Sequence, residues 1–296
     1  MSMALSFFVP LILCVLFGLF YIPLARKIGI KEFVLLQSFK KKQGTPTMGG
    51  IIILLALVAS LPFLYTSDYF IILVFATLFF AIGVTDDALK ITRRSATGLR
   101  WRTRLILQFI LAVAFCIVFY YTTSRSIPYL LFNGLFLVFF VNAFNITDGL
   151  DGMAAGNFII ILSGLFFILL AIASTALVPF VLAVIGATAG FLVFNAPRAK
   201  LFMGDAGASL LGSLLAMIAI FAKLKYFVFI AGLFIVIEGG TSIVQILSRM
   251  VLGRTLFPIA PFHYVLLRLG WGEQTIAVTS WIFTLTLTLV FVVASL

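Results

Sequence analysis

Apolar stretches of about 17 to 22 residues recur along this chain, and a run of that length is what a helix needs to cross the hydrocarbon of a bilayer. Inside lipid a backbone must satisfy its own polar groups, so only helices and closed barrels can span. Barrel strands would alternate apolar and polar positions in short segments, and these runs do not alternate. The chain therefore reads as all-α and polytopic. Ten spans are expected, at roughly 4–24, 50–66, 69–85, 105–122, 128–145, 155–173, 176–195, 207–222, 226–247 and 274–295. Composition agrees: 64% of residues are apolar and 10% charged, too few polar groups to cover a water-soluble globule.

Ten spans sort the basic residues. Arg26, Lys27, Lys31, Lys40, Lys41, Lys42, Lys90, Arg93, Arg94, Arg100, Arg102, Arg104, Arg198, Lys200, Arg249, Arg254 and Arg268 fall on one side, and only Arg125, Lys223 and Lys225 on the other. The positive-inside rule makes the first side cytoplasmic and puts both termini outside. The net charge of +11 follows from this topology and from attraction to anionic lipid, so it does not imply nucleic acid. The first span carries Arg26 and Lys27 after it and no basic residue before it, the reverse of a cleavable signal, so it is expected to stay as a structural helix. Cys14 and Cys116 lie inside spans, with no metal-like spacing, and read as small apolar fillers. One membrane-embedded domain is expected over 1–296.

Five of the nine acidic residues sit in three polar islands at span ends: Asp86-Asp87 with Lys90, Asn142 to Gly152 with Asp148 and Asp151, and Phe202-Met203-Gly204-Asp205. Each island has a bland explanation. Lys90 can pair with Asp86 and Asp87 along a helix, the Asp-Gly steps can form turns, and Asp205 can cap the eighth span. Taken together, the islands imply one site. Like charges about 4 Å apart repel by roughly 4 kcal/mol at an effective dielectric near 20, so convergence needs a cation. Oxygen donors with almost no His or Cys suit Mg²⁺ shared with substrate phosphates. Asn142 and Asn145, expensive in hydrocarbon, are expected to face a wet cavity. The loop Lys40 to Gly50 combines lysines, glycines and threonines that can cradle phosphate. His263 is the lone histidine, and Glu238 and Gln245 are intramembrane polar residues. An ion-coupled transporter would place its carboxylates near mid-membrane, whereas these lie at cytoplasmic span ends.

Several ordered strings carry a resemblance: Gly44-Thr45-Pro46-Thr47-Met48-Gly49-Gly50, Asp86-Asp87 with Lys90, Asn142 through Gly152, Asn195 with Phe202-Met203-Gly204-Asp205, and Ala260-Pro261-Phe262-His263 followed by Gly270-Trp271-Gly272-Glu273. On these strings the chain resembles the polyprenyl-phosphate N-acetylhexosamine-1-phosphate transferases, most closely the phospho-N-acetylmuramoyl-pentapeptide branch. The resemblance implies a ten-helix fold, often dimeric, in a bacterial inner membrane. It implies transfer of phospho-N-acetylmuramoyl-pentapeptide from UDP to undecaprenyl phosphate at the cytoplasmic face, with Mg²⁺, giving lipid I and UMP. The sister branch using UDP-N-acetylglucosamine is the alternative.

By position the resemblance assigns catalysis to Asp86, Asp87, Asp205, Lys42 and His263, with Asp86 as base. Metal contact falls to Asp205, with Asp148. Substrate contacts fall to Lys42, Lys90, Arg104, Asn142, Asn145, Asp148, Asp151, Asn195, Phe202 and Gln245. Four positions depart from the family pattern: Tyr264 and Val265 replace histidines, Arg104 stands at a lysine position, and Phe39 stands where a histidine often precedes Lys42. The sequence is compatible with direct attack and with a covalent aspartyl intermediate alike.

Overall fold

A computed structural model describes residues 3–31, 44–63, 67–95, 97–123, 127–174 and 176–295. Twelve helices occupy nearly all of this: α1 (Met3–Ile28), α2 (Gly50–Ser60), α3 (Ser67–Arg93), α4 (Trp101–Thr123), α5 (Ile127–Thr147), α6 (Met153–Ala171), α7 (Val178–Asn195), α8 (Gly204–Phe221), α9 (Lys225–Ala231), α10 (Leu233–Leu252), α11 (Phe262–Arg268) and α12 (Glu273–Ser295). The only extended pairing among the described residues is a single antiparallel bridge between Lys31 and Pro46.

Nine of these helices are long and apolar enough to span. The second expected span is shorter: α2 has 11 residues and tightens into a 3-10 turn at Leu61–Phe63, where Pro62 denies an amide to the ladder. The ninth is broken at Gly232 into α9 and α10. The segment around His263, expected as loop, winds into the short helix α11.

The core is organised around α8. Every residue from Asp205 to Ile220 is buried, as expected of a helix apolar all round and enclosed by others. Helices α3, α5 and α2 surround it, while α1 packs on α7 and α12 on α6. Outer faces of the peripheral helices instead expose large apolar side chains, among them Phe20, Val251 and Val293, the surface of a bundle solvated by lipid. Cys14 and Cys116 are buried thiols without a disulfide, in keeping with a filling role.

Lipid gives no hydrophobic drive for helices to associate, so close packing of small residues does much of the joining. Three glycines achieve this at the start of α8. A Cβ on Gly50 would lie 2.3 Å from the Gly207 Cα, and one on Gly83 would lie 2.3 Å from the Asp205 carbonyl oxygen. These contacts bring α2 and α3 onto the first turn of α8, where the acidic islands meet. Gly83→Ala should therefore lower the thermal midpoint of the detergent-purified protein by several degrees, an overpacking cost of about 1–3 kcal/mol. Gly240→Ala, with nothing within 4 Å, should leave the midpoint unchanged or slightly raised.

Candidate active site

Asp205 is the second residue of α8 and does not cap its own helix, whose N-cap position makes no side-chain hydrogen bond. The cap comes from another helix. Asp87 Oδ1 accepts the Asp205 N–H at 3.1 Å and Asp87 Oδ2 accepts the Ala206 N–H at 3.0 Å. A carboxylate there satisfies two amides with no partner inside the helix and complements the positive end of the helix dipole. Gly204, at φ +73°, allows the approach: a Cβ would lie 2.6 Å from Asp87 Oδ2.

Relieved of capping, the Asp205 side chain collects donors from three helices. Lys90 of α3 donates to its Oδ2, Arg104 of α4 donates to Oδ1 from Nη1 at 3.0 Å, and Asn145 of α5 donates to Oδ1. Lys90 also pairs with Asp86 Oδ2 at 2.9 Å, four residues back along the helix. Asp86, Asp87 and Asp205 are all buried, and one oxygen from each lies within 4.8 Å of the others. Three carboxylates against two cations leave one formal negative charge, in a cluster of hard oxygen donors that fits a divalent cation such as Mg²⁺. Buried donors remain as well: Arg104 Nε and Nη2 have no partner among the described residues. A guanidinium with spare donors beside a carboxylate cluster suits a bound phosphate.

Other expected positions resolve into two groups. Asn142 donates to Gln108 Oε1 at 2.6 Å and to the Val138 carbonyl at 2.8 Å, so it looks into the bundle beside the site. Asp148 is half-buried in the turn after α5 and stands outside the three-carboxylate group. From α5, which ends at Thr147, the side chain that reaches Asp205 is Asn145.

Asp151, Asn195, Phe202 and Gln245 hold backbone. Asp151 Oδ2 accepts the Arg198 and Ala199 N–H groups, and Asn195 links the Gly152 N–H to the Leu201 carbonyl. Around Phe202, its N–H donates to the Pro46 carbonyl while its own carbonyl accepts the Gly49 N–H, which zips the Thr-Pro-Thr loop to the approach to α8. Gln245 accepts the Leu256 and Phe257 N–H groups and donates back to the Phe257 carbonyl. Lys42 and Phe39 lie outside the described residues.

His263 is buried. Its backbone N–H donates to Glu238 Oε1, and its Nδ1 meets Glu238 Oε2 at 2.9 Å. Its Nε2 has no partner among the described residues and faces Gly149, where a Cβ would sit 2.6 Å away. Sequence reasoning missed Gln108 and the backbone of Gly98 and Leu99, whose N–H reaches Asp86 Oδ1 at 2.7 Å. Gln108 carried a signal, being a lone amide inside a span. A backbone amide carries none.

Comparison with known proteins agrees with this geometry. The sequence model of Glycosyl transferase family 4 matches residues 69–223, which run from α3 past the end of α8. The phospho-N-acetylmuramoyl-pentapeptide-transferase signature 1 matches residues 42–54, which include the Thr45-Pro46-Thr47 loop zipped to Phe202 and the start of α2, and favours that branch over the UDP-N-acetylglucosamine one. A phospho-N-acetylmuramoyl-pentapeptide-transferase of Geobacillus thermodenitrificans (strain NG80-2) is 35% identical over 95% of this chain and 92% of its own length. One from Bacillus subtilis (strain 168) is 36% identical over 83% of this chain and 82% of its own. With a family match over the carboxylate-bearing helices and such relatives along nearly the whole length, the chain belongs to glycosyl transferase family 4 and, within it, to the phospho-N-acetylmuramoyl-pentapeptide transferases.

Proposed function

We propose that this multi-pass membrane protein transfers phospho-N-acetylmuramoyl-pentapeptide from its UDP carrier to undecaprenyl phosphate, giving lipid I and UMP, with Mg²⁺ as cofactor and the site on the cytoplasmic face of a bacterial inner membrane. The observation that carries it is the meeting of Asp86, Asp87 and Asp205 with Lys90, Arg104 and Asn145 at one end of the bundle. Phosphoryl transfer asks a protein mainly to position reactants and neutralise charge, which is what such a cluster offers.

An oxygen of the lipid phosphate bonds to the β-phosphorus while the anhydride bond to UMP breaks and UMP departs with the electron pair. Asp86 accepts the proton of any lipid phosphate that arrives protonated. Lys90 and Arg104, with Lys42, supply the positive charge facing the diphosphate. Asp205, with Asp86 and Asp87, would hold Mg²⁺, which when bound neutralises diphosphate oxygens. Asp87 also fixes the α8 terminus, while Asp148 serves as a further metal contact and, with Asn142, faces the substrate. Seventeen basic residues on the side bearing these groups against three opposite support the cytoplasmic assignment. The protein works in contact with membrane lipid, and a homodimer is compatible with its apolar outer faces.

The decisive assay presents purified protein with undecaprenyl phosphate, Mg²⁺ and each UDP-sugar in turn. UMP release is expected with the muramoyl-pentapeptide substrate and little or none with UDP-N-acetylglucosamine; the reverse order would move the chain to the sister activity.

Asp205→Asn separates chemistry from folding. Because Asp87 does the capping, the variant should keep its helicity and thermal midpoint while UMP release falls on the order of 10²-fold or more, as for loss of other preorganised charges. Excess Mg²⁺ should restore little. Near-normal turnover would remove Asp205 from the reaction centre.

Topology is read by labelling single cysteines in intact cells. Positions beside Asp151, Asp205 and His263 should resist an impermeant reagent added from outside, and positions beside Asp68 and Arg125 should react. Labelling beside Asp151 with protection beside Arg125 would invert the assignment.

A further inference from the structure

Asp86 is held at both carboxylate oxygens, one of them by backbone. Lys90 takes Oδ2 at 2.9 Å, and the Leu99 N–H donates to Oδ1 at 2.7 Å. The second contact depends on the backbone at Gly98 and Leu99 lying against the carboxylate, and Asp86 is only 3% exposed. Gly98 is where the two surfaces touch. A Cβ there would lie 2.5 Å from Asp86 Cγ and 2.5 Å from both of its oxygens, closer than real Cβ atoms come to anything. Its φ is not in the left-handed region, so the backbone conformation does not demand glycine at this position. Contact with the carboxylate does. The stretch is braced from the side by Arg93 Nη1, which donates to the Gly98 carbonyl at 3.3 Å.

We propose that Gly98 is a positioning residue for the transfer reaction: its bare Cα lets the backbone close over Asp86 and deliver the Leu99 N–H to Oδ1, fixing the carboxylate in the orientation from which it meets the lipid phosphate. This rests on the proposed reading that places the Asp86 carboxylate in the transfer site. Gly98 itself touches no reacting atom and acts only through that side chain.

The test is kinetic, on the full-length protein in detergent. Gly98→Ala should lower kcat by about 10- to 100-fold, the scale of a displacement near 1 Å at a reacting group. KM for the UDP-sugar should stay within about threefold, since only the orientation of Asp86 is disturbed. Leu99→Pro, which deletes the donor and adds no atom at position 98, should give the same split and serves if Gly98→Ala folds poorly. In an Asp86→Asn background, followed under single-turnover conditions with enzyme in excess, adding Gly98→Ala should cost almost nothing further, because residues acting as a unit are not additive.

Full additivity in that cycle would overturn the proposal, as would near-normal kcat in both single variants. So would parallel loss of kcat, KM and thermal midpoint in both. If residual turnover of Asp86→Asn is below detection, the kcat against KM split of the two single variants decides. Undiminished turnover in Asp86→Asn alone would instead refute the role given to Asp86, an outcome distinct from wild-type behaviour of Gly98→Ala beside an inactive Asp86→Asn.

Discussion

Two hydrogen bonds, from the Asp205 and Ala206 amides to the carboxylate of Asp87, join the end of α3 to the start of α8, and the site is assembled around that joint. A helix terminus buried in a bundle has amides that neither lipid nor its own turn can satisfy. Supplying their partner from α3 solves that problem and locks two helices in register. It also leaves the Asp205 side chain unoccupied by capping and turned toward Lys90, Arg104 and Asn145. An N-cap substitution typically costs about 0.5–2 kcal/mol, so Asp87 contributes to stability as well as to the charge of the site.

The electrostatics of the cluster follow from who faces whom. Asp205 meets two cations and an amide, Asp86 meets Lys90 and a backbone N–H, and Asp87 meets two backbone N–H groups. Buried ion pairs are poor sources of stability, because desolvation offsets much of their attraction. Concentrating them at one end of an otherwise apolar bundle is better explained by the charge of a phosphate-bearing substrate. The unpartnered Arg104 donors and the His263 Nε2, buried but without a partner among the described residues, point the same way.

Close approach of backbone is the second constraint. Gly50 against Gly207, Gly83 against the Asp205 carbonyl, Gly204 against Asp87 and Gly98 against Asp86 are four places where a methyl group would not fit. The first two set the spacing of helices in lipid, where van der Waals packing replaces the hydrophobic drive. The other two sit against the carboxylates of Asp87 and Asp86. The Glu238–His263 pair applies a similar logic with side chains, a buried carboxylate of α10 fixing an imidazole of α11.

The run lengths of apolar residues determined the helical, membrane-spanning class, because hydrocarbon thickness and backbone satisfaction leave a chain like this no other option. The placing of Asp86, Asp87 and Asp205 at span ends likewise marked where carboxylates would gather, since such groups are costly in lipid. Only the tertiary structure decided how the islands divide their work. Sequence spacing places Asp205 where a cap is expected and cannot reveal that Asp87, 118 residues away in the chain, takes that role. Asn142, Asn145, Asp148 and Asp151 recur at intervals of three in the sequence, yet Asn145 reaches Asp205 while Asp151 braces the loop at Arg198 and Ala199. The shortening of α2 and the break at Gly232 were hidden within apolar runs for the same reason: hydropathy reports what a residue dissolves in, and contacts between helices determine where each one ends and which atom its side chain meets.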